Sequence, residues 1–473
     1  MIYGHPLGKQ IILRMAAALQ HRGQSATGIA SRDPKANRMI EVAKVHGRAN
    51  LLLGDPDFQG LAGNVFMTHT RYPTQGKDSK RNIQPHYTLA AQGKLVIASN
   101  GDVVNMNELG AFLDERNFRR YTDNDAELMA TLIKWHAIIG KKELPEAIHA
   151  VMGQVRGAYS SVLFAEWDER VYAFRDPNGI RPLYYAEISD SRGTYYVVAS
   201  ETVAINVARE HIDVADRTGD VRIDVLREVQ PGEILSIGRD GVKSYGYQGE
   251  CRSLLCLMEL LYLSRPDSLF DLGQEISFST MRRRLGAATF AEHKIRPDVF
   301  CCVPRSGRPA SIGYAASARV PYEEAIIQNP DLPADQQGLR DFIVSERGKL
   351  EKFRVIRDCV QGRHVGVGDD SIVEGITSRR LVRILRSCRI SDLNFFAFAP
   401  PYCYPCYYGL HTKDSRTLVA ARCASHEEIE RWIGCGVHYL SVDRLYEIKD
   451  IARGRFCDAC FTGNYPVPLE DHL

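Results

Sequence analysis

Between Lys94 and Ser99 the chain reads KLVIAS, and similar short runs recur at YSSVLFAE, RVYAFRD and TYYVVAS, apolar or alternating and bounded by turn residues. A period of two argues for strands with one face toward a core. Two segments, GKQIILRMAAALQ from Gly8 and NDAELMATLIKWHAIIG from Asn124, instead place apolar residues three and four apart, which predicts amphipathic helices. Residues 1–245 are therefore expected to form a mixed α+β domain with antiparallel sheets.

Beyond REVQPGEILSIGRDGVKSYGYQGE the pattern changes. Apolar runs such as PDVFCCV and GRHVGVG alternate with helical stretches such as SRRLVRILRSC, the order of parallel βαβ units. A second domain, α/β in class, is expected over residues 246–473. No repeat or low-complexity segment interrupts either half, and the closing GNYPVPLEDHL reads as a loose tail.

The chain has 473 residues, 44% of them hydrophobic, enough for two domains with separate cores. With 60 basic against 58 acidic residues, the formal charge of +2 points to neither a nucleic acid nor a membrane as partner, and small molecules are expected instead. There is no export-type leader and no apolar run of about twenty residues, so a soluble cytoplasmic protein is expected. Twelve cysteines in such a chain suggest thiols, metal or catalysis rather than a disulfide framework.

The densest candidate chemistry lies in HVGVGDDSIVEGITSRR, residues 364 to 380. A strand ending in Asp369 and Asp370 would set two carboxylates at the carboxyl edge of a parallel sheet, where such folds bind ligands. The following loop offers backbone N–H groups, Gly375 for close approach, and Thr377 and Ser378 at a helix start whose positive end favours phosphate. The acids could meet ribose hydroxyls or Mg²⁺; taken alone, the pattern also suits a capped helix beside two solvated acids. CYPC at 403 to 406 and CDAC at 457 to 460 could close a four-thiolate zinc site, hold an iron–sulfur cluster, or be unrelated turns.

The phosphate loop resembles that of glutamine amidophosphoribosyltransferases, and the likeness spans almost the whole chain: LQHRGQSATGIAS, THTRYPTQG, ASNGDVVN, FRDPNGIRPL, VVASET, LLYLSRPDS and CDACFTGNYP follow in that family's order. The resemblance implies an N-terminal-nucleophile hydrolase-like glutaminase domain followed by a type I phosphoribosyltransferase domain. It also implies formation of 5-phosphoribosylamine from glutamine and phosphoribosyl pyrophosphate at the entry to purine synthesis, with ammonia passed internally. Homo-oligomers are expected with it.

By this resemblance Arg71 grips the glutamine carboxylate, Asn100 and Gly101 form the oxyanion hole, and Asp125 holds the ammonium. In the second domain Asp369, Asp370, Ser371, Gly375, Thr377 and Ser378 bind phosphoribosyl pyrophosphate, and Ser306 joins Asp369 and Asp370 around Mg²⁺. Cys256, Cys406, Cys457 and Cys460 match the ligands of a [4Fe–4S] cluster. Cys403 is then spare, Cys301 and Cys302 are core residues, and Cys251, Cys359, Cys388, Cys423 and Cys435 have no assigned role.

The sequence also departs from the family. No cysteine lies between Met1 and Gln24 to replace the family's N-terminal nucleophile, and Met1 aligns several residues inside the family's opening strand. Either a misread start or a real loss would explain this; loss of the opening strand would leave a sheet edge unpaired, which favours the misread start. Glu374 stands where the family has Arg, Ile376 where it has Thr, and Arg305 where it has an acid; Arg305 and Arg308 could answer Glu374. The family's closing loop is replaced by QNPDLPADQQGLRDFIVSERGKL. An ammonia-dependent enzyme needs no terminal cysteine. The alternative is a non-catalytic paralogue that regulates or scaffolds an active subunit.

Overall fold

The computed structural model describes residues 1–33, 39–72, 79–216, 219–329, 353–410, 412 and 414–469. The chain forms two compact units, one of residues 1–255 with 407–410 and 466–473, the other of 256–406 and 411–465. The division thus falls after Leu255 rather than near residue 245, and two short later segments are counted with the first unit.

Two antiparallel sheets face each other in the first unit. One has seven strands, in the order Arg222–Glu228, Tyr184–Asp190, Gly193–Ala199, Ile2–Tyr3, Val65–Arg71, Ala26–Arg32 and Ile40–His46; the other has six, running from Gly241–Gly246 through Glu233–Gly238, Val171–Arg175, Gly157–Ala165 and Gly93–Val103 to His86–Ala90. Met67, Ala30 and Tyr3 of the first sheet meet Val96, Phe164 and Leu235 of the second in one apolar layer. On its other face the six-stranded sheet sends Ile97, Leu163 and Phe174 toward the helices Met106–Asp114, Asp125–Ile138 and Leu144–Met152. The helices Gly8–Ala18 and Thr202–Asp216 pack together against the seven-stranded sheet. Helix, sheet, sheet, helix is the layering that alternating strands dictate when both sheets bury an apolar face.

The edge that loss of the opening strand would leave is not found: Ile2 lies between Val197 and Phe66 inside the seven-stranded sheet. The Met1 amine is buried and donates to the Val198 carbonyl at 2.7 Å, and burial lowers its pKa to about 5. Nor is the end of the chain loose as far as Val467, whose backbone N–H and C=O both bond the Tyr408 hydroxyl, at 3.2 and 2.7 Å.

The second unit is built on four parallel strands, in the order Val299–Cys302, His364–Asp369, Asp392–Ala397 and Gly436–Tyr439. Covered on both faces, such strands read as continuous apolar runs, which is why FCCV and VGVG showed no alternation. The helices Ile376–Ser387 and His426–Ile433 supply Leu381, Val382, Ile429 and Ile433 to the core on one side. The other side stacks Tyr314 of the helix Arg308–Ala318 on Phe300 and packs it at a tilt against Phe396. Cys301 is buried in the core, as expected of a strand thiol, and Cys302 is also buried, with its sulfur 3.1 Å from the Tyr322 hydroxyl.

Candidate active sites of the two units

In the second unit the strand His364–Asp369 ends with both acids buried at the carboxyl edge of the sheet. The Asp370 N–H donates to Asp369 Oδ1 at 2.9 Å, and Ser371 Oγ donates to Asp370 Oδ1 at 2.8 Å. Phe398 N–H bonds the Asp369 carbonyl at 3.0 Å, fixing the strand end from its neighbour. The loop carrying Arg305 and Ser306 is held beside these acids, because Val303 N–H donates to the Gly368 carbonyl at 2.8 Å. A Cβ at Gly307 would lie 2.8 Å from that carbonyl oxygen and 3.1 Å from Asp369 Cα, so glycine permits this approach. Ser306 is thereby placed on the loop that flanks the Asp pair.

Beyond the acids, Gly375 turns the chain at φ +73° and opens the helix Ile376–Ser387, with Thr377 and Ser378 in the first turn. That turn contains no acidic residue, so its N–H groups and dipole face the loop, where Glu374 is the anion just before the helix start. Burial raises the pKa of Glu374, and Arg422 opposes the shift. Arg308 pairs with Glu324 at 3.0 Å, not with Glu374. Of the two arginines expected to answer Glu374, Arg308 is thus paired elsewhere, and Arg422 is a cation that acts on Glu374. The segment expected to replace the closing loop, residues 328 to 350, lies outside the described residues apart from Gln328 and Asn329.

Cys256, Cys406, Cys457 and Cys460 are all buried. The two-residue strands Leu255–Cys256 and Phe456–Cys457 pair with each other, and the Cys460 carbonyl accepts the N–H groups of Cys403 and Tyr404 at 3.0 Å. Burial pushes the Cys460 thiol well up, and Cys406, Cys256 and Cys457 push it further, so the four sulfurs share one neighbourhood. No three such side chains among the described residues converge on a single metal ion. A tetrahedral zinc at about 2.3 Å from each sulfur would need thiolates about 3.8 Å apart. The four thiols share one buried region, and Cys403 is beside them but only half-buried.

In the first unit Arg71 ends the strand Val65–Arg71, buried and paired in register with Ala26. Asn100 and Gly101 lie within the strand Gly93–Val103. Gly101 has φ +143°, and a Cβ there would sit 1.8 Å from the Ala158 carbonyl oxygen, so no other residue fits. Asn100 Nδ2 is buried without a hydrogen-bond partner. Asp125 opens the helix Asp125–Ile138, buried, with Oδ1 accepting the Ala126 N–H at 2.8 Å.

Three residues that sequence reasoning passed over stand among these. His69 and Arg71 are two apart on one strand and share a face, and His69 pairs with Gly28, which pairs with Lys44. Burial, then Arg71, lowers the His69 pKa to about 4, against a bond to the Ser99 backbone. His86 falls to about 3 through burial, then Lys44, His69 and Arg71. Burial also lowers Lys44 to about 8, with Glu127 opposing. The available signal was the alternation in THTR, which puts His69 on the side of Arg71.

A sequence profile described as a glutamine amidotransferase domain matches residues 69–207. The chain is 34% identical to the amidophosphoribosyltransferase of Bacillus subtilis, covering 99% of this chain and 93% of that one. It is 32% identical to that of Synechococcus elongatus, covering 96% and 88%. The solved structure of the B. subtilis glutamine phosphoribosylpyrophosphate amidotransferase, complexed with ADP and GMP, superposes with a TM-score of 0.86 at 32% identity, covering 100% of this chain and 97% of that chain. The first unit is accordingly a class II glutamine amidotransferase domain and the second resembles a phosphoribosyltransferase.

Proposed function

The chain belongs to the amidophosphoribosyltransferase family, and from that premise we propose that it forms 5-phosphoribosylamine from phosphoribosyl pyrophosphate, with ammonia or glutamine as nitrogen donor, in purine synthesis. The observation that carries this reading is the continuous run from the buried Asp369–Asp370 pair to the helix start at Gly375, Thr377 and Ser378. Its backbone donors and hydroxyls suit a 5-phosphate, and its acids suit the ribose hydroxyls. Ammonia attacks the anomeric carbon as the bond to pyrophosphate breaks, and the surplus proton leaves to water. Arg305, on the loop beside Asp369, adds positive charge where the departing pyrophosphate collects its own.

Ser306, Asp369 and Asp370 would hold Mg²⁺, whose charge offsets that of the pyrophosphate. Cys256, Cys406, Cys457 and Cys460 would hold a [4Fe–4S] cluster as a structural anchor; their shared buried neighbourhood supports this. In the first unit Arg71 would take the carboxylate of glutamine, Asp125 its ammonium, and Asn100 with Gly101 its amide oxygen. A cytoplasmic homo-oligomer is part of the same reading.

The test is phosphoribosylamine formation from phosphoribosyl pyrophosphate and Mg²⁺, with glutamine and, separately, with ammonium. Turnover with ammonium is expected. Absence of product with both donors, from protein that is folded and metal-loaded, would overturn the enzymatic reading in favour of a regulatory paralogue.

A further inference from the structure

Two cations beside the phosphate loop have no role in the reading above. The Arg422 and Arg379 guanidinium groups lie 4.2 and 5.1 Å from the ring centroid of Trp432. Among the described residues neither side chain makes a hydrogen bond or an ion pair. Acids on the helix His426–Ile433, which carries Trp432, turn elsewhere: Glu428 Oε2 accepts the Ala424 N–H at 2.7 Å, and Glu430 Oε1 accepts the Val437 N–H at 2.9 Å. Two like charges gathered on one indole repel, and a cation over a partly exposed ring gains little. The arrangement therefore suits an anion that comes from outside the chain.

Three contacts set these cations against the loop. Trp432 rests on Gly375, where a Cβ would lie 2.5 Å from Cζ3 of the indole. The Arg379 N–H donates to the Gly375 carbonyl at 3.0 Å. Arg422 closes the short helix Val419–Arg422, whose first N–H donates to the Val373 carbonyl at 2.9 Å. Both chain neighbours of Glu374 are thus held by the elements that carry the two arginines, and Arg422 acts on the Glu374 carboxyl. Two guanidinium groups stand against one carboxylate, which leaves the loop a surplus of positive charge within about one screening length, roughly 10 Å at 0.1 M salt.

We propose that Trp432 is a shelf holding Arg422 and Arg379 beside the phosphate loop, where their combined field draws in the 5-phosphate of the substrate against the opposing charge of Glu374. The two arginines act through charge rather than through a fixed contact, and Trp432 is a positioning residue because it acts through them. The inference rests on the phosphoribosyl reading of the segment from Asp369 to Ser378. Within that reading it assigns the cation of the loop to residues far along the chain, brought to position 374 by packing.

Calorimetric titration of the full chain with ribose 5-phosphate, at low and at high salt, tests it. Arg422→Gln should weaken binding about three- to tenfold at low salt and much less at high salt, where the field is screened. Arg422→Lys keeps the charge and should bind like the native chain. Adding Glu374→Gln to Arg422→Gln should return the affinity close to native, because two charge changes of opposite sign offset each other. Trp432 is one of three tryptophans. In a chain carrying Trp135→Phe and Trp167→Phe its emission should change when ribose 5-phosphate binds and stay constant with glutamine, a readout that leaves the site intact. Native affinity in Arg422→Gln at low salt, equal losses in the Gln and Lys variants, or an unresponsive Trp432 overturns the proposal. The loop reading then still stands, provided Gly375→Ala weakens ribose 5-phosphate binding. A native chain that does not bind ribose 5-phosphate overturns both.

Discussion

Gly375 stands directly against Trp432: a Cβ at 375 would lie 2.5 Å from Cζ3 of the indole, at a residue whose φ is +73°. The indole cannot retreat easily, since the Arg422 and Arg379 guanidinium groups lie 4.2 and 5.1 Å from its ring centroid. The loop before Gly375, the candidate phosphate site, is also tied from outside, where Val419 N–H donates to the Val373 carbonyl at 2.9 Å. Its shape therefore depends on a packed wall as well as on its own residues.

Gly375→Ala should pay both a left-handed backbone cost of about 1–2 kcal/mol and the collision with Trp432. Binding of ribose 5-phosphate, read by calorimetry, should weaken at least about tenfold, with little change in the binding of glutamine. Unchanged phosphate affinity would show that the loop does not hold this group.

Glu374→Gln should have the opposite sign. An anion before the helix start opposes an incoming phosphate, and its removal should tighten ribose 5-phosphate binding by about three- to tenfold. Burial raises the Glu374 pKa, so its charge disappears as pH falls through that raised value. The advantage of the variant over the native chain should therefore shrink between pH 7 and pH 4. A ratio that stays constant with pH would place Glu374 away from the ligand.

His69 and His86 give the first unit an acid-sensitive stability. Both have folded pKa values, about 4 and about 3, below the ordinary 6.5. Between these limits the unfolded chain binds the extra protons, so stability is full above pH 6.5 and declines as pH falls, by up to about 1.4 kcal/mol per pH unit for each histidine. Thermal midpoints from pH 7.5 to 4.5 should fall, and less steeply in His86→Phe. Equal slopes would mean that His86 is not buried in its neutral form.

Protein purified without oxygen should be brown and hold about four irons per chain. Cys460→Ser should lose colour and iron together with stability, while Cys403→Ser keeps all three. A colourless native chain that folds normally, or one holding zinc instead, would remove the cluster from this account.

Much of this architecture was legible residue by residue. Period-two runs such as KLVIAS became strands because their pairing faces were written locally, and the apolar run into Asp369 identified a strand edge where ligands gather. Arg71, Asn100 and Gly101 lie in or at the ends of strands that the pattern had already placed. Ile2–Tyr3 was different: two residues carry no period, and only pairing with Val197 and Phe66 makes them a central strand. Arg422 as the cation acting on Glu374, and Glu324 as the partner of Arg308, depend on helices and loops that meet far along the chain.

By itself the sequence determined the family, the succession of an antiparallel domain and a parallel one, and the chemistry of each candidate residue, because periodicity and motif spacing are short-range properties of the chain. Only the tertiary structure decided which charges act on one another and which atoms of His69, His86 and Asn100 lie buried and unpaired. Those outcomes depend on distance and on exclusion of water, and both are set by segments that meet only when the sheets pack.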